Sequence, residues 1–223
     1  MNDFPPPQPP PPPYGAPQPG PGGPDVGAAI SYGWAKFQQN VGPLLIVVLI
    51  PVAAQLVLSI ISRIAVHSLA GALIFQVLGV IVGAIGGLGI YRVALMITAG
   101  EPADVGKAFQ YDRWGEWIVF SFVFGLMVGF GLLLCIVPGL FVLAFFGLAP
   151  YYFIDQRMSL GDSLRASREA VRSKGLAFPV LLSIVVGVLG VIACIIGVFV
   201  TECIAYVAVA YLYRYAAGQP VAA

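Results

Sequence analysis

From Val41 onward the chain is built of apolar runs, each about as long as a membrane is thick. A hydrocarbon core about 30 Å deep is crossed by ~20 residues of helix. Every backbone amide and carbonyl must be paired within it, which leaves only helices or closed barrels. The runs show no period-two alternation, so helices are predicted. Composition agrees: 59 % of the 223 residues are hydrophobic and 9 % are charged, where a soluble domain carries about a quarter charged residues. The expected fold class is an all-α polytopic membrane protein.

Polar and helix-breaking residues divide the runs. Val41 to Ser62 is the first span, ended by Arg63 and His67, and Leu69 to Ile90 is the second, its helix continuing past Arg92 towards Thr98. Trp117 to Leu134 is the third, and "CIVPG", Cys135 to Gly139, turns into the fourth, Leu140 to Ile154. Ala177 to Tyr215 is long enough for two spans, with the break expected near Gly197. Pro51 predicts a kink and Pro179 a helix start. The sum is six spans in three hairpins.

Lys and Arg in short loops mark the cytoplasmic side. Ten of the eleven, Lys36, Arg92, Lys107, Arg113, Arg157, Arg165, Arg168, Arg172, Lys174 and Arg214, fall on one side of this scheme, and only Arg63 falls on the other. Both termini are therefore expected in the cytoplasm and the protein in the cytoplasmic (inner) membrane. His67 reads as a surface residue of the outer loop. The division is residues 1–24 as a tail, 25–217 as the membrane domain and 218–223 as a short C-terminal tail. The first 24 residues hold twelve prolines, predicting a disordered segment of polyproline II character. It lacks the pattern of a secretory signal and is read as a solvated tail, the alternative being a docking strip for a proline-recognising partner.

Three short segments precede the hairpins: "DVGAAISYGW" from Asp25, "DVGKAFQYDRW" from Asp104 and "SLGDSLRAS" from Ser159. Asp25, Asp104 and Ser159 suit N-caps, so the chain reads as three copies of a surface helix followed by two spans. In the third copy Leu160, Leu164, Ser167 and Val171 fall within about 60° of helical arc, with Arg165, Arg168 and Arg172 on an adjoining flank. Val26, Ile30, Trp34 and Phe37 form the expected stripe of the first copy. The middle copy should be short, because Asp112 and Glu116 would fall on its apolar face. Such helices lie in the interface plane. Arg165, Arg168, Arg172, Lys174 and Trp34 are the candidate contacts to anionic lipid or to a partner membrane protein; anchoring alone is the alternative.

Gly79, Gly83 and Gly87 in the second span and Gly125 and Gly129 in the third share faces that suit close helix packing, within the chain or in a homo-oligomer. Glu202 is the one acid inside an apolar run, a candidate for transport or, nearer the interface, a hydrated group. Gln55, Gln76, Ser59, Ser121 and Ser183 are polar spots that helices pair across. Cys135, Cys194 and Cys203 read as buried apolar residues. Catalytic motifs, metal-ligand spacings, a cofactor loop and a basic stripe for nucleic acid are all lacking, so no enzyme activity, cofactor or nucleic-acid partner is expected.

"ISYGWAKFQQNVGPLLIV" and "PYYFIDQRMSLGDSLRASREAVRSKG" together resemble the bacterial six-helix membrane domain carried by some glycerophosphodiester phosphodiesterases and by stand-alone membrane proteins. The matching positions are Trp34, Phe37, Asn40, Leu44, Leu45, Pro150, Asp155, Leu164, Ser167 and Gly175, over residues 28–216. The chain departs at Arg168, where an aromatic usually follows the serine, and at Ser163 in place of alanine. With no phosphodiesterase domain present, the resemblance implies a fold without that activity; the proline-rich tail resembles an actinobacterial arrangement. The expected function is a non-catalytic accessory or scaffold that binds lipid or a partner membrane protein in the cell envelope. The alternative is a transporter or channel for a small or lipidic solute.

Overall fold

The computed structural model describes residues 26–65, 68–134, 136–189 and 195–222, and among them the chain is helical with no strand. The helices are α1 (Val26–Gln39), α2 (Val41–Ala65), α3 (Leu69–Ala99), α4 (Val105–Ala108), α5 (Trp114–Leu134), α6 (Ile136–Phe146), α7 (Ala149–Asp155), α8 (Leu160–Ser173), α9 (Ala177–Leu189) and α10 (Ile195–Ala217). Four segments are long and apolar enough to cross a membrane: Val41–Ala65, Leu69–Ala99, Trp114–Leu134 and Val137–Asp155. Ala177–Val186 is a shorter apolar helix. The chain is thus a multi-pass membrane protein by the length and hydropathy of its helices.

α10 is the central helix. Its residues from Cys203 to Tyr213 are buried apart from Tyr206, and it packs against α9, α1, α3 and α2. A helix apolar all round belongs at the centre of a bundle. Consecutive helices α2 and α3, α5 and α6, and α9 and α10 pack against one another. Leu49, Ile50, Leu56, Val57, Ile60, Ile64, Leu73, Ile74 and Val77 on α2 and α3 are exposed, as are Phe122, Phe130, Leu133 and Phe141 on α5 and α6. Apolar area of that extent has no place in water and matches the solvent that lipid provides.

Several expectations change at the level of packing. The first surface helix buries Ala29, Tyr32, Gly33 and Phe37, leaving Trp34 46 % exposed. The face docked on the bundle is thus that of Ala29, Tyr32, Gly33 and Phe37, and Trp34, the expected lipid contact, lies outside it. The cause is close approach: a Cβ on Gly33 would lie 2.6 Å from the Ile204 carbonyl oxygen, so α1 and α10 meet through their smallest residues. The last apolar run does not break at Gly197, which is inside α10; the two helices are separated by residues 190–194, outside the described residues. Glu202 consequently lies about two turns into its helix, some 10 Å at 1.5 Å per residue. α2 continues through Pro51, whose ring occupies the gap at Gly86, where a Cβ would come within 2.5 Å of it.

The glycines divide in the same way. Among the described residues, a Cβ at Gly83, Gly125 or Gly129 would meet nothing within 4 Å, and one at Gly79 or Gly87 would meet only side chains. The tight approaches are at Gly33, Gly86, Gly89, Gly131, Gly139 and Gly147. Ser59 and Ser183 donate to carbonyls of their own helices, Leu56 and Pro179, instead of pairing across. Asp25, His67, Cys135, Cys194 and the tail of residues 1–24 lie outside the described residues. Cys203 is buried as expected, its thiol 3.7 Å from the Leu44 carbonyl oxygen.

Candidate functional site

The surface helix α8 is fixed at both ends and along one face. Its N-cap Ser159 accepts from the Asp162 amide, and Asp104 caps the four-residue α4 through the amides of Gly106 and Lys107; each is the local hydrogen bond that a capping oxygen makes. At the far end the Leu176 amide reaches the Val171 carbonyl while Gly175 holds φ at 65°, a left-handed cap that favours glycine. Between the ends, Ser163, Ser167 and Val171 are buried. The Ser167 hydroxyl donates to the Phe145 carbonyl at 2.9 Å, satisfying an oxygen in the last turn of α6 that has no partner within its helix.

The flank with the cations remains free. Arg165, Arg168 and Arg172 are exposed, and none is in an ion pair among the described residues. Together with Glu169 and Ser173 they line an open cleft. Lys174 is separate: its ammonium donates to the carbonyls of Tyr215 and Ala216 at 2.9 and 2.8 Å. It thereby closes the C-terminus of α10, where a cation is favoured. Trp34 lies on another surface helix, stacked on Phe37 at 6.0 Å.

A second polar region binds the same end of the bundle together. Arg214 is buried, and its guanidinium donates to Thr98 Oγ1 at 2.9 Å, the Leu95 carbonyl at 3.2 Å, Gln219 Oε1 at 3.1 Å and the Pro220 carbonyl at 3.4 Å. Asp155 accepts from the Tyr213 hydroxyl and from Gln219 Nε2. The Tyr32 hydroxyl donates to the Ala222 carbonyl at 3.1 Å; burial pushes that phenol up to about 12, against the pull of Arg214, so it stays a donor. The short tail, over residues 218–222, is thus folded back onto the bundle, the Ala222 amide also reaching the Thr98 carbonyl at 3.0 Å. On the other side, Asp112 pairs with Arg157 and Glu116 with Arg113. The Arg157 hydrogen bond holds the Asp112 carboxyl below its ordinary range. Arg92, Glu101, Tyr111, Asp155, Arg157 and Arg214 line a cleft of about 320 Å³ between these groups.

Inside the bundle, Glu202 lines a cavity of about 160 Å³ with Tyr91, Tyr151, Tyr206 and Phe124. The Tyr91 ring meets Tyr151 and Tyr206 edge-on, at 5.0 and 5.1 Å between centroids. The Tyr151 hydroxyl donates to the Tyr206 carbonyl at 2.8 Å, fixing α7 to α10. No ion pair involves Glu202 among the described residues. An adjoining cavity of about 240 Å³ shares Tyr91, Phe124 and Tyr206 and is lined also by Gly83, Gly87, Gly125 and Trp117, with the Ser121 hydroxyl, which is buried and has no hydrogen-bond partner among the described residues.

The residues that carry the resemblance have structural work here: Ser167 closes α6, Gly175 ends α8 and Asp155 fastens α10. No family model, curated protein or solved structure matches the chain. Among the described residues no three His, Cys, Asp or Glu side chains gather as metal ligands. The tyrosines beside Glu202 were missed in the sequence because they come from three separate helices; the only local signal was the four-residue spacing of Glu202 and Tyr206.

Proposed function

We propose that this chain is a non-catalytic accessory protein of the cytoplasmic membrane. It crosses six times in three hairpins with both termini inside, and binds the phosphate headgroups of anionic lipids through Arg165, Arg168 and Arg172. The supporting observation is that α8 is docked along the face of Ser163, Ser167 and Val171 while all three guanidinium groups on its flank are exposed and in no ion pair among the described residues. A cation close to an anionic leaflet contributes about 1 kcal/mol. The inward orientation rests on the ten-to-one distribution of Lys and Arg. The resemblance to the six-helix membrane domain belongs with this reading.

The test is to purify the full chain in mild detergent, with and without Arg165→Gln, Arg168→Gln and Arg172→Gln together, and to weigh the retained phospholipids by native mass spectrometry. Preferential loss of anionic lipid from the triple variant is expected. Equal retention would remove the headgroup role, and loss of a co-purifying membrane protein in its place would assign the ridge to a protein partner. A second reading, carriage of a small or lipidic solute, is favoured by the cavity that reaches Glu202.

A further inference from the structure

Glu202 is an acid about two turns inside an apolar helix, in a cavity lined also by three tyrosines, Phe124 and aliphatic residues, with no second charged group among the lining residues. A carboxylate at such depth is costly unless it is protonated or paired, and no Lys or Arg of the described residues is in an ion pair with it. Around it, Tyr91, Tyr151 and Tyr206 supply three rings. Ring faces carry negative charge density and attract cations, most strongly where water is excluded. One acid surrounded by aromatic rings is therefore complementary to a positive organic group. A hard inorganic cation would need several oxygen ligands, carboxylates and carbonyls above all, whereas the cavity offers a single carboxylate and phenol hydroxyls, of which that of Tyr151 is committed to the Tyr206 carbonyl.

Size and shape narrow the ligand further. The cavity of about 160 Å³ is close to the volume that takes a single benzene-sized molecule. The neighbouring cavity of about 240 Å³ is bordered by three of the same side chains, Tyr91, Phe124 and Tyr206. There Gly83 and Gly125 leave open space where a Cβ would meet nothing within 4 Å. We propose that these two cavities form a binding site for a lipophilic organic cation, with its ammonium head beside Glu202 and the tyrosine rings and its apolar body in the space left open by Gly83 and Gly125. The site is distinct from the arginine ridge on α8 and does not depend on the lipid reading.

The probe is decyltrimethylammonium, added to the full chain in a neutral detergent and followed by isothermal titration calorimetry, with decanol and decanoate as neutral and anionic counterparts. Saturable binding of the cation alone is expected. Glu202→Gln, which keeps the volume and the hydrogen-bonding capacity, should weaken it at least tenfold. Gly125→Leu fills the open space from a position where an added Cβ meets nothing within 4 Å among the described residues, so it should abolish binding while the protein stays monodisperse and melts as the parent does. The triple Arg→Gln variant should bind the probe unchanged, which separates this site from the ridge. Equal uptake of decanol or decanoate, or undiminished affinity in Glu202→Gln or in Gly125→Leu, would overturn the proposal.

Discussion

The hydroxyl of Ser167 on α8 donates a 2.9 Å hydrogen bond to the carbonyl of Phe145 near the end of α6, 22 residues earlier in the chain. One side chain thus finishes one helix and fastens another. Removing it leaves the carbonyl without its donor, so Ser167→Ala is expected to lower stability by about 1–2 kcal/mol. A reduced thermal midpoint in detergent, with lipid composition unchanged, checks this.

Arg214 has the opposite character to the exposed arginines of α8. Its guanidinium serves four neutral acceptors at once, two on α3 and two on the chain beyond α10. Arg214→Leu should cost about 3 kcal/mol or more, because the acceptors lose a charged donor. Arg214→Lys should rescue little, since one ammonium lacks the planar fork that reaches them together. Limited proteolysis would show residues 218–222 released in both variants and protected in the parent.

Glycines of the same composition should respond in opposite ways. A side chain at Gly33 meets the Ile204 carbonyl at 2.6 Å, whereas one at Gly129 meets nothing within 4 Å. Gly33→Ala is therefore expected to destabilise by about 1–3 kcal/mol through overpacking. Gly129→Ala should be neutral or gain up to about 1 kcal/mol from helix propensity. Thermal midpoints of the two purified variants give the comparison.

Acid should loosen the link between the segment before α5 and the segment before α8. Asp112 is held below its ordinary value of 3.8 by Arg157. A depressed acid contributes its full stabilisation above the unfolded value and loses it as pH falls through the lowered one. Amide protection factors in residues 109–113 and 156–159, which correct for the pH dependence of the exchange chemistry itself, should stay constant from neutral pH down to 3.8 and fall below it. In Asp112→Asn the exchange should already be fast at neutral pH.

What the sequence showed and what it withheld follow a physical division. The caps at Asp104 and Ser159, the long helix through Arg92 and the burial of Ser167 and Val171 on α8 are local patterns, set by residues within a few positions of one another; Leu160 and Leu164 of the expected stripe are only half-buried, and Ser163 is buried beside them. The docked face of α1 was not legible, because its contact with α10 runs through Gly33, a residue that gives no apolar signal. Arg214 served in the sequence only as a marker of topology, since its acceptors Thr98 and Leu95 are more than a hundred residues away. The tyrosines about Glu202 were hidden for the same reason.

The account depends most on which side of the membrane bears the arginine flank of α8. In a variant with Cys135, Cys194 and Cys203 replaced by alanine and Arg165→Cys added, a membrane-impermeant maleimide should leave intact cells unlabelled and label fully once the membrane is opened. Labelling of position 165 in intact cells would place the flank outside and contradict the orientation, and with it the lipid-binding role.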